Sequence, residues 1–331
     1  MSTSHRFGSA LGATIASYLA LKKALGRRFA VETAVLAQLD RFLGAQRPDA
    51  AGLTPDSFAA WSLTLAHLTP TVRRNRMRIV RNLCLYLRRT DRDGFVPDPS
   101  GFPAPHTPQC PHIFTEEQIL RLLRATANLR PTSTSPLCAE VFRLAVVLLY
   151  TAGLRRGELV HLVLSDYDPA AHTLLVRAAK FHKSRLVALS KDAAHELDVY
   201  LRARCRLPHD TDAPLLVSRS GGLRAYSGAG LGAGLRRLFR SADVRTAQGR
   251  LPRVHDMRHT HAVHALLRWY RAGADVQTKL PALATAMGHV SIASTAYYLP
   301  FLEPIAEAAS ARFANHCRDV LAVLPGGGGA R

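Results

Sequence analysis

Along residues 1–92 the apolar positions recur at three- and four-residue steps, which predicts a run of helices. Ala16, Leu19, Leu21 and Leu25 form one set; Ala34, Val35, Leu39, Phe42 and Leu43 form another, with Glu32 and Thr33 placed as a helix start. Thr54-Pro55-Asp56 reads as a further start, an N-cap followed by proline at the first helical position. A third helical segment is expected from Val72 to Arg89. Its Met77, Val80, Cys84 and Leu87 line one face, while Arg74, Arg78, Arg81 and Arg88 fall largely on the other. Between Asp93 and Pro111 the periodicity stops and six prolines appear. Proline lacks the amide donor and fixes φ, so this stretch is expected to link two domains.

Helical spacing resumes at Thr115-Glu116-Glu117-Gln118, an N-cap with an acidic first turn, followed by Ile119, Leu122 and Leu123. Leu137 to Tyr150 is more uniformly apolar and should be central to a core, stopping at Gly153. His172 to Ala178 and Leu186 to Leu189 are strand-like and are joined by Ala179 to Arg185, which predicts a hairpin with lysines in its turn. Lys191 to Arg204 is helical and Pro214 to Ser218 extended. The glycine-rich run Gly228 to Gly234 fits neither G-x-G-x-x-G nor a phosphate-binding loop ending in Gly-Lys-Ser/Thr. It reads as a mobile turn leading into a basic helix around Arg236, Arg237 and Arg240. Another helix starts near His255, where Ala262, Val263, Leu266, Leu267 and Tyr270 recur at helical spacing. After Leu299-Pro300 a last helix is expected over Glu303 to Val323, with Ile305, Ala309, Phe313 and Val320 on one face, and Gly326 to Arg331 as a disordered end.

Composition adds a partner. Lys and Arg number 44 against 24 Asp and Glu, a formal net charge of +20 over 331 residues, which favours a polyanion, nucleic acid above all. Eight arginines between Arg73 and Arg92 make that helix the expected DNA-facing surface, with Arg73, Arg74, Arg78 and Arg81 as contacts. The longest apolar run, Leu144 to Leu149, is far too short to span a bilayer, and the first residues lack a secretory pattern, so a cytoplasmic protein without membrane contact is expected. Five scattered cysteines without a C-x-x-C pair argue against disulfides or a zinc site and read as free thiols, mostly buried.

The candidate chemistry is phosphoryl transfer. His255 and Arg258, three residues apart at a helix start, set a proton-handling imidazole beside a guanidinium able to grip two phosphate oxygens. His255 and His259 also stand at metal-ligand spacing. The residues between them, Asp-Met-Arg, lack the glutamate of a metalloprotease helix, and an arginine there disfavours a cation, so no metal is expected. His259, His261 and His264 read as packed or solvated helix residues. Arg155 follows a Thr-Ala-Gly-Leu turn and precedes Glu158 by three, Lys180 lies in the hairpin turn, and His289 precedes Tyr298 by nine.

In order and spacing, Arg155, Lys180, His255-x-x-Arg258, His289 and Tyr298 resemble the tyrosine recombinase, or phage integrase, family. The resemblance covers the second domain through its end, and the basic N-terminal helices look like the family's core-binding domain. It implies a mainly α protein with a small antiparallel β-sheet, a two-domain DNA clamp. An all-α core-binding (SAM-like) domain over 1–92 would be followed by a Pro-rich linker over 93–111 and a mixed α+β catalytic domain over 112–331 with a C-terminal helix. It also implies a site-specific recombinase or transposase of a mobile element, acting on double-stranded DNA through a 3′-phosphotyrosyl intermediate without metal, ATP or other cofactor. A homo- or hetero-oligomeric, tetrameric synapse through the C-terminal helix is implied too.

Each position suits that chemistry on its own terms. Arg155 and Arg258 would stabilise charge on the phosphate, His255 would take the tyrosine proton and Lys180 would protonate the leaving sugar oxygen. His289 would hydrogen-bond the phosphate and Glu158 would orient its neighbours. Lys183 is an alternative acid in the same turn and Tyr297 abuts the nucleophile. A type IB topoisomerase and a DNA-binding partner protein that does not cut are the rival functions.

Overall fold

A computed structural model of the chain describes residues 7–26, 29–46, 52–104, 109–177, 184–219 and 222–288. These fall into two compact units, one ending at Gln109 and one beginning at Cys110.

The first unit holds α1 (Gly12–Ala24), α2 (Ala30–Gln46), α3 (Pro55–Leu63) and α4 (Pro70–Leu87) around a core that includes Ile15, Leu36, Leu39, Trp61, Val80 and Leu83. Thr54 caps α3 as its sequence requires, its hydroxyl accepting the Ser57 amide at 3.2 Å. α4 buries Met77, Val80, Leu83 and Cys84 at helical spacing, and desolvation pushes the Cys84 thiol up to about 12.

The Pro-rich stretch begins as part of this unit. Phe102 is buried in the core, Phe95 and Val96 pack against it, and two arginines of α4 hold the stretch in place. Arg74 Nη1 donates to Pro103 O at 2.7 Å and Arg81 Nε to Pro97 O at 3.0 Å. These contacts qualify the expectation of a DNA-facing surface at Arg73, Arg74, Arg78 and Arg81. Arg78 is exposed, the other three are partly buried, and Arg74 and Arg81 spend donors on their own chain.

The second unit is built on α6 (Cys138–Thr151), whose Val141, Leu144, Ala145 and Leu148 are buried on successive turns. Packed with it are α5 (Glu116–Thr126), α7 (Arg156–Leu159), α8 (Lys191–Arg204), α9 (Gly228–Ser241) and α10 (Asp256–Arg271). α11 (Val276–Met287) follows and shares a smaller apolar cluster with α10 through Val263, Leu266, Leu283 and Met287. Thr115 and Gln118 cap α5 reciprocally, at 3.1 and 3.2 Å. A three-stranded antiparallel sheet runs β1 (Tyr167–Asp168), β2 (Thr173–Val176), β3 (Arg185–Ala188), with Val176 opposite Arg185. A separate pair joins β4 (Val217–Ser218) and β5 (Arg224–Ala225). Among the described residues no helix is long and apolar enough to cross a membrane. Of the four cysteines described, Cys84 and Cys138 are buried and Cys110 and Cys205 exposed, so burial is less general than their composition suggested.

One element differs from its sequence expectation. The glycine run is the first half of α9, capped by Ser227, whose hydroxyl accepts the Gly230 amide at 2.9 Å. Glycine costs a helix backbone entropy, and here the missing side chains permit close contact. A Cβ on Gly234 would lie 2.0 Å from Cζ of Phe142, and one on Gly232 would lie 2.5 Å from Nη1 of Arg156. Gly234→Ala is therefore expected to lower stability by about 1–3 kcal/mol through overpacking, whereas Gly228→Ala, which meets only Arg156 Nε at 3.8 Å, should be neutral or slightly stabilising in chemical denaturation.

Candidate active site

Two helix ends and one helix start converge in the second unit. α6 stops at Ala152, and Gly153 turns the chain with φ +59°. A side chain there would press to 2.5 Å from the His261 ring of α10, so the turn needs glycine. α11 stops the same way at Gly288, φ +65°. Both turns expose carbonyls at the electronegative end of a helix, where guanidinium groups are favoured.

Three arginines occupy those carbonyls. Arg258, in the first turn of α10 and 1% exposed, donates from Nη1 to Gly153 O at 2.5 Å and from Nη2 to Met287 O. Arg155, just before α7, donates from Nη2 to Gly288 O at 2.9 Å. Arg185, the first residue of β3, donates from Nε to Ala286 O at 2.8 Å. The successive carbonyls of Ala286, Met287 and Gly288 thus each accept one arginine, from three separate segments.

Glu158 joins two of them. Its Oε1 accepts Arg155 Nη1 at 2.6 Å and Arg185 Nη1 at 3.0 Å; its Oε2 accepts Arg185 Nη2 at 2.9 Å and the Arg155 amide at 2.9 Å. Burial opposes a charged carboxyl here, but the donors from Arg185 and the Arg155 amide, with the guanidinium charges, bring it down to about 2. A carboxyl depressed in the folded state adds stability above its unfolded pKa and loses it as pH falls through the folded value. The native chain should hold its stability down to pH about 4.5 and lose on the order of 3 kcal/mol from this group alone between there and pH about 2. In Glu158→Gln, acid denaturation should lack that component of the slope.

His255 occupies the N-cap position of α10, its ring 4.8 Å from that of His259 in an edge-on arrangement. Desolvation, then the positive charge of Arg258, with smaller effects of Arg155 and Arg253, hold it below the usual imidazole range against the pull of Asp256. A neutral ring can accept a proton at physiological pH. Asp256 is buried and holds the helix start, accepting the Arg253 amide at 2.8 Å and its Nη2 at 2.8 Å. His259 and His261 are both lowered to about 4, chiefly by burial. His261 Nδ1 donates to Tyr150 O at 3.0 Å, and Tyr150 OH shares a 3.0 Å hydrogen bond with His264 Nδ1. His261 and His264 thus knit α10 to α6 through Tyr150.

The structure therefore brings Arg155, Glu158, His255 and Arg258 into one region of the second unit. The two arginines are not alike: Arg155 keeps 24% of its side chain exposed, while Arg258 is buried with both terminal nitrogens on carbonyls. Lys180, Lys183, His289, Tyr297, Tyr298 and the helix expected over 303–323 lie outside the described residues. Arg185 was not on the expected site; its signal is the strand alternation that puts it on the same face as buried Val187.

The phage integrase family profile matches residues 112–301. A Sinorhizobium fredii protein, y4rE, named as an integrase/recombinase, is 31% identical over 294 residues, covering 88% of this chain and 92% of its own. The tyrosine recombinase XerD of Mycobacterium tuberculosis is 32% identical over 200 residues, 59% of this chain and 58% of its own. Among solved structures, the XerH site-specific recombinase bound to palindromic difH substrate aligns with TM-score 0.60 at 16% identity, covering 86% of this chain and 79% of that one. The Tn1549 transposon integrase in complex with a circular intermediate DNA aligns with TM-score 0.59 at 19% identity, covering 86% and 94%. At those identities the structural likeness speaks for the fold.

Proposed function

This chain belongs to the phage integrase family of tyrosine recombinases, enzymes that break and rejoin DNA site-specifically, and we propose that it does so on a mobile element through a 3′-phosphotyrosyl intermediate. The observation that carries the reading is the convergence of Arg155 and Arg258, 103 residues apart in sequence, on the peptide that leads into His289. An anionic phosphodiester gains charge on its nonbridging oxygens when attacked, and fixed guanidinium groups meet that charge without reorganising. Arg155 reaches the phosphate from the surface; Arg258 supplies positive potential from below, where screening by water is weak.

The attacking oxygen is that of Tyr298. Its proton passes to neutral His255 as the oxygen–phosphorus bond forms, the bond from phosphorus to the 5′-oxygen breaks, and Lys180 gives that oxygen a proton. His289 donates a hydrogen bond to the phosphate. The phosphotyrosyl ester keeps the energy of the broken bond, so a 5′-hydroxyl of another strand restores the diester by the reverse steps. Glu158 orients Arg155. Of the basic helix, exposed Arg78 meets the DNA backbone, with Arg73, Arg74 and Arg81 adding positive potential behind it, as the +20 charge favours. The helix over 303–323 docks on a neighbouring copy in a tetrameric synapse, and the protein works in the cytoplasm.

The test is covalent capture. A duplex selected by the purified chain from a random-sequence pool is nicked so that cleavage cannot reverse, incubated and denatured. A protein band linked to the 3′ side of the break is expected; a duplex bound tightly but never linked overturns the reading. Relaxation of supercoiled plasmid with no preference for the selected site would instead favour the topoisomerase alternative.

A further inference from the structure

Arg185 is the third guanidinium at the end of α11, and the proposed chemistry does not use it. It opens β3 opposite Val176, on the face that buries Val187. Nη1 and Nη2 form a fork on the two oxygens of Glu158 at 3.0 and 2.9 Å, and Nε donates to Ala286 O at 2.8 Å. All three nitrogens are engaged and 9% of the side chain is exposed. An ion pair on the surface contributes little, but an enclosed bidentate pair is strongly directional. Its partners are informative: the carboxylate that fixes Arg155, the helix end that leads into His289, and, through its own backbone, the strand that follows the Lys180 turn.

Resting on the reading in which Lys180 is the general acid, the geometry points to Arg185 as a positioning residue that locks the base of the β2–β3 hairpin, Arg155 and the end of α11 into one body. The strand that follows the segment carrying the acid and the arginine on the phosphate are then held to one another through the reaction. A lysine at 185 retains the charge but has one nitrogen, so it cannot make the fork and the Ala286 contact together. The fit is close: a Cβ on Gly288 would lie 2.8 Å from Arg185 Nη1.

Single-turnover cleavage by the full chain tests this, on the selected nicked duplex carrying either a 5′-oxygen or a bridging 5′-sulfur as leaving atom. A thiolate departs without a proton, so a fault in the acid shows on oxygen alone. Arg185→Lys is expected to bind DNA as the parent does, to lose about 30-fold in rate on oxygen and under about 5-fold on sulfur. The double variant Arg185→Ala with Glu158→Gln should be no slower than the slower single one, since both remove the same link. If Arg185→Ala fails to fold, Arg185→Lys still decides. A wild-type rate in Arg185→Lys, or equal loss on both leaving atoms, overturns the inference and leaves the residue a structural one. A parent chain that binds but never links to DNA overturns the phosphotyrosyl reading and this inference with it.

Discussion

Tyr298→Phe is expected to form no covalent complex with DNA while binding the selected duplex as tightly as the parent chain. The change removes one oxygen and keeps the ring, so contacts made by the ring survive. Without that oxygen the proposed nucleophile for displacing the 5′-oxygen is gone. The loss in cleavage rate should be on the order of 10⁴-fold or greater, as for removal of other enzymes' nucleophiles. Denaturing gels after incubation with the nicked duplex read the link, and a filter-binding titration reads affinity. Tyr297→Phe is the internal control and should keep both. A band retained in Tyr298→Phe and lost in Tyr297→Phe moves the nucleophile by one position.

Arg258→Lys carries the second large effect, and it separates charge from shape. Arg258 is buried with its terminal nitrogens on Gly153 O and Met287 O. Lysine keeps the positive charge, yet it cannot bridge carbonyls that lie on two sides of a planar fork. One of the two turns loses its donor, and hydrogen bonds to charged groups contribute about 1.5–3 kcal/mol each. Stability should fall by about that amount in chemical denaturation. Cleavage should fall further, by roughly 10²-fold or more, because the charge moves and the peptide before His289 loses an anchor. If DNA affinity rests mainly on exposed arginines elsewhere, as proposed, it should change little and keep its steep salt dependence. If cleavage falls no more than stability and binding account for, Arg258 is a scaffold residue only.

Much of this was legible along the chain because the governing contacts are local. The α5 cap needs only Thr115 and Gln118, and the buried face of α4 needs only the spacing of Met77, Val80 and Cys84. Arg155, His255 and Arg258 stand out through short spacings and their order, and the fold brings them into one region. What escaped depends on residues far away in sequence. The glycines of α9 make sense as helix only beside Phe142, 92 positions before Gly234, and Arg156, 76 before Gly232. Arg185 gains its meaning from Glu158, 27 residues before it, and Ala286, 101 after it. The prolines after Asp93 suggested a free linker, but Phe95 and Phe102 among them find the first unit's core. Burial of Arg258 was likewise invisible, since an arginine in a first helical turn is ordinarily at the surface.

The end of α11 has a consequence for when the enzyme is able to cut. Its last three carbonyls take one arginine each from the turn after α6, the β-hairpin and the start of α10. All three moorings of that peptide exist only where three segments remote in sequence are in place together. A recombinase that nicked DNA while half-folded would leave breaks with no strand to join. If the proposed site is correct, tying the peptide before His289 to three remote segments would make the capacity to break DNA depend on the completed fold, as the capacity to reseal it does.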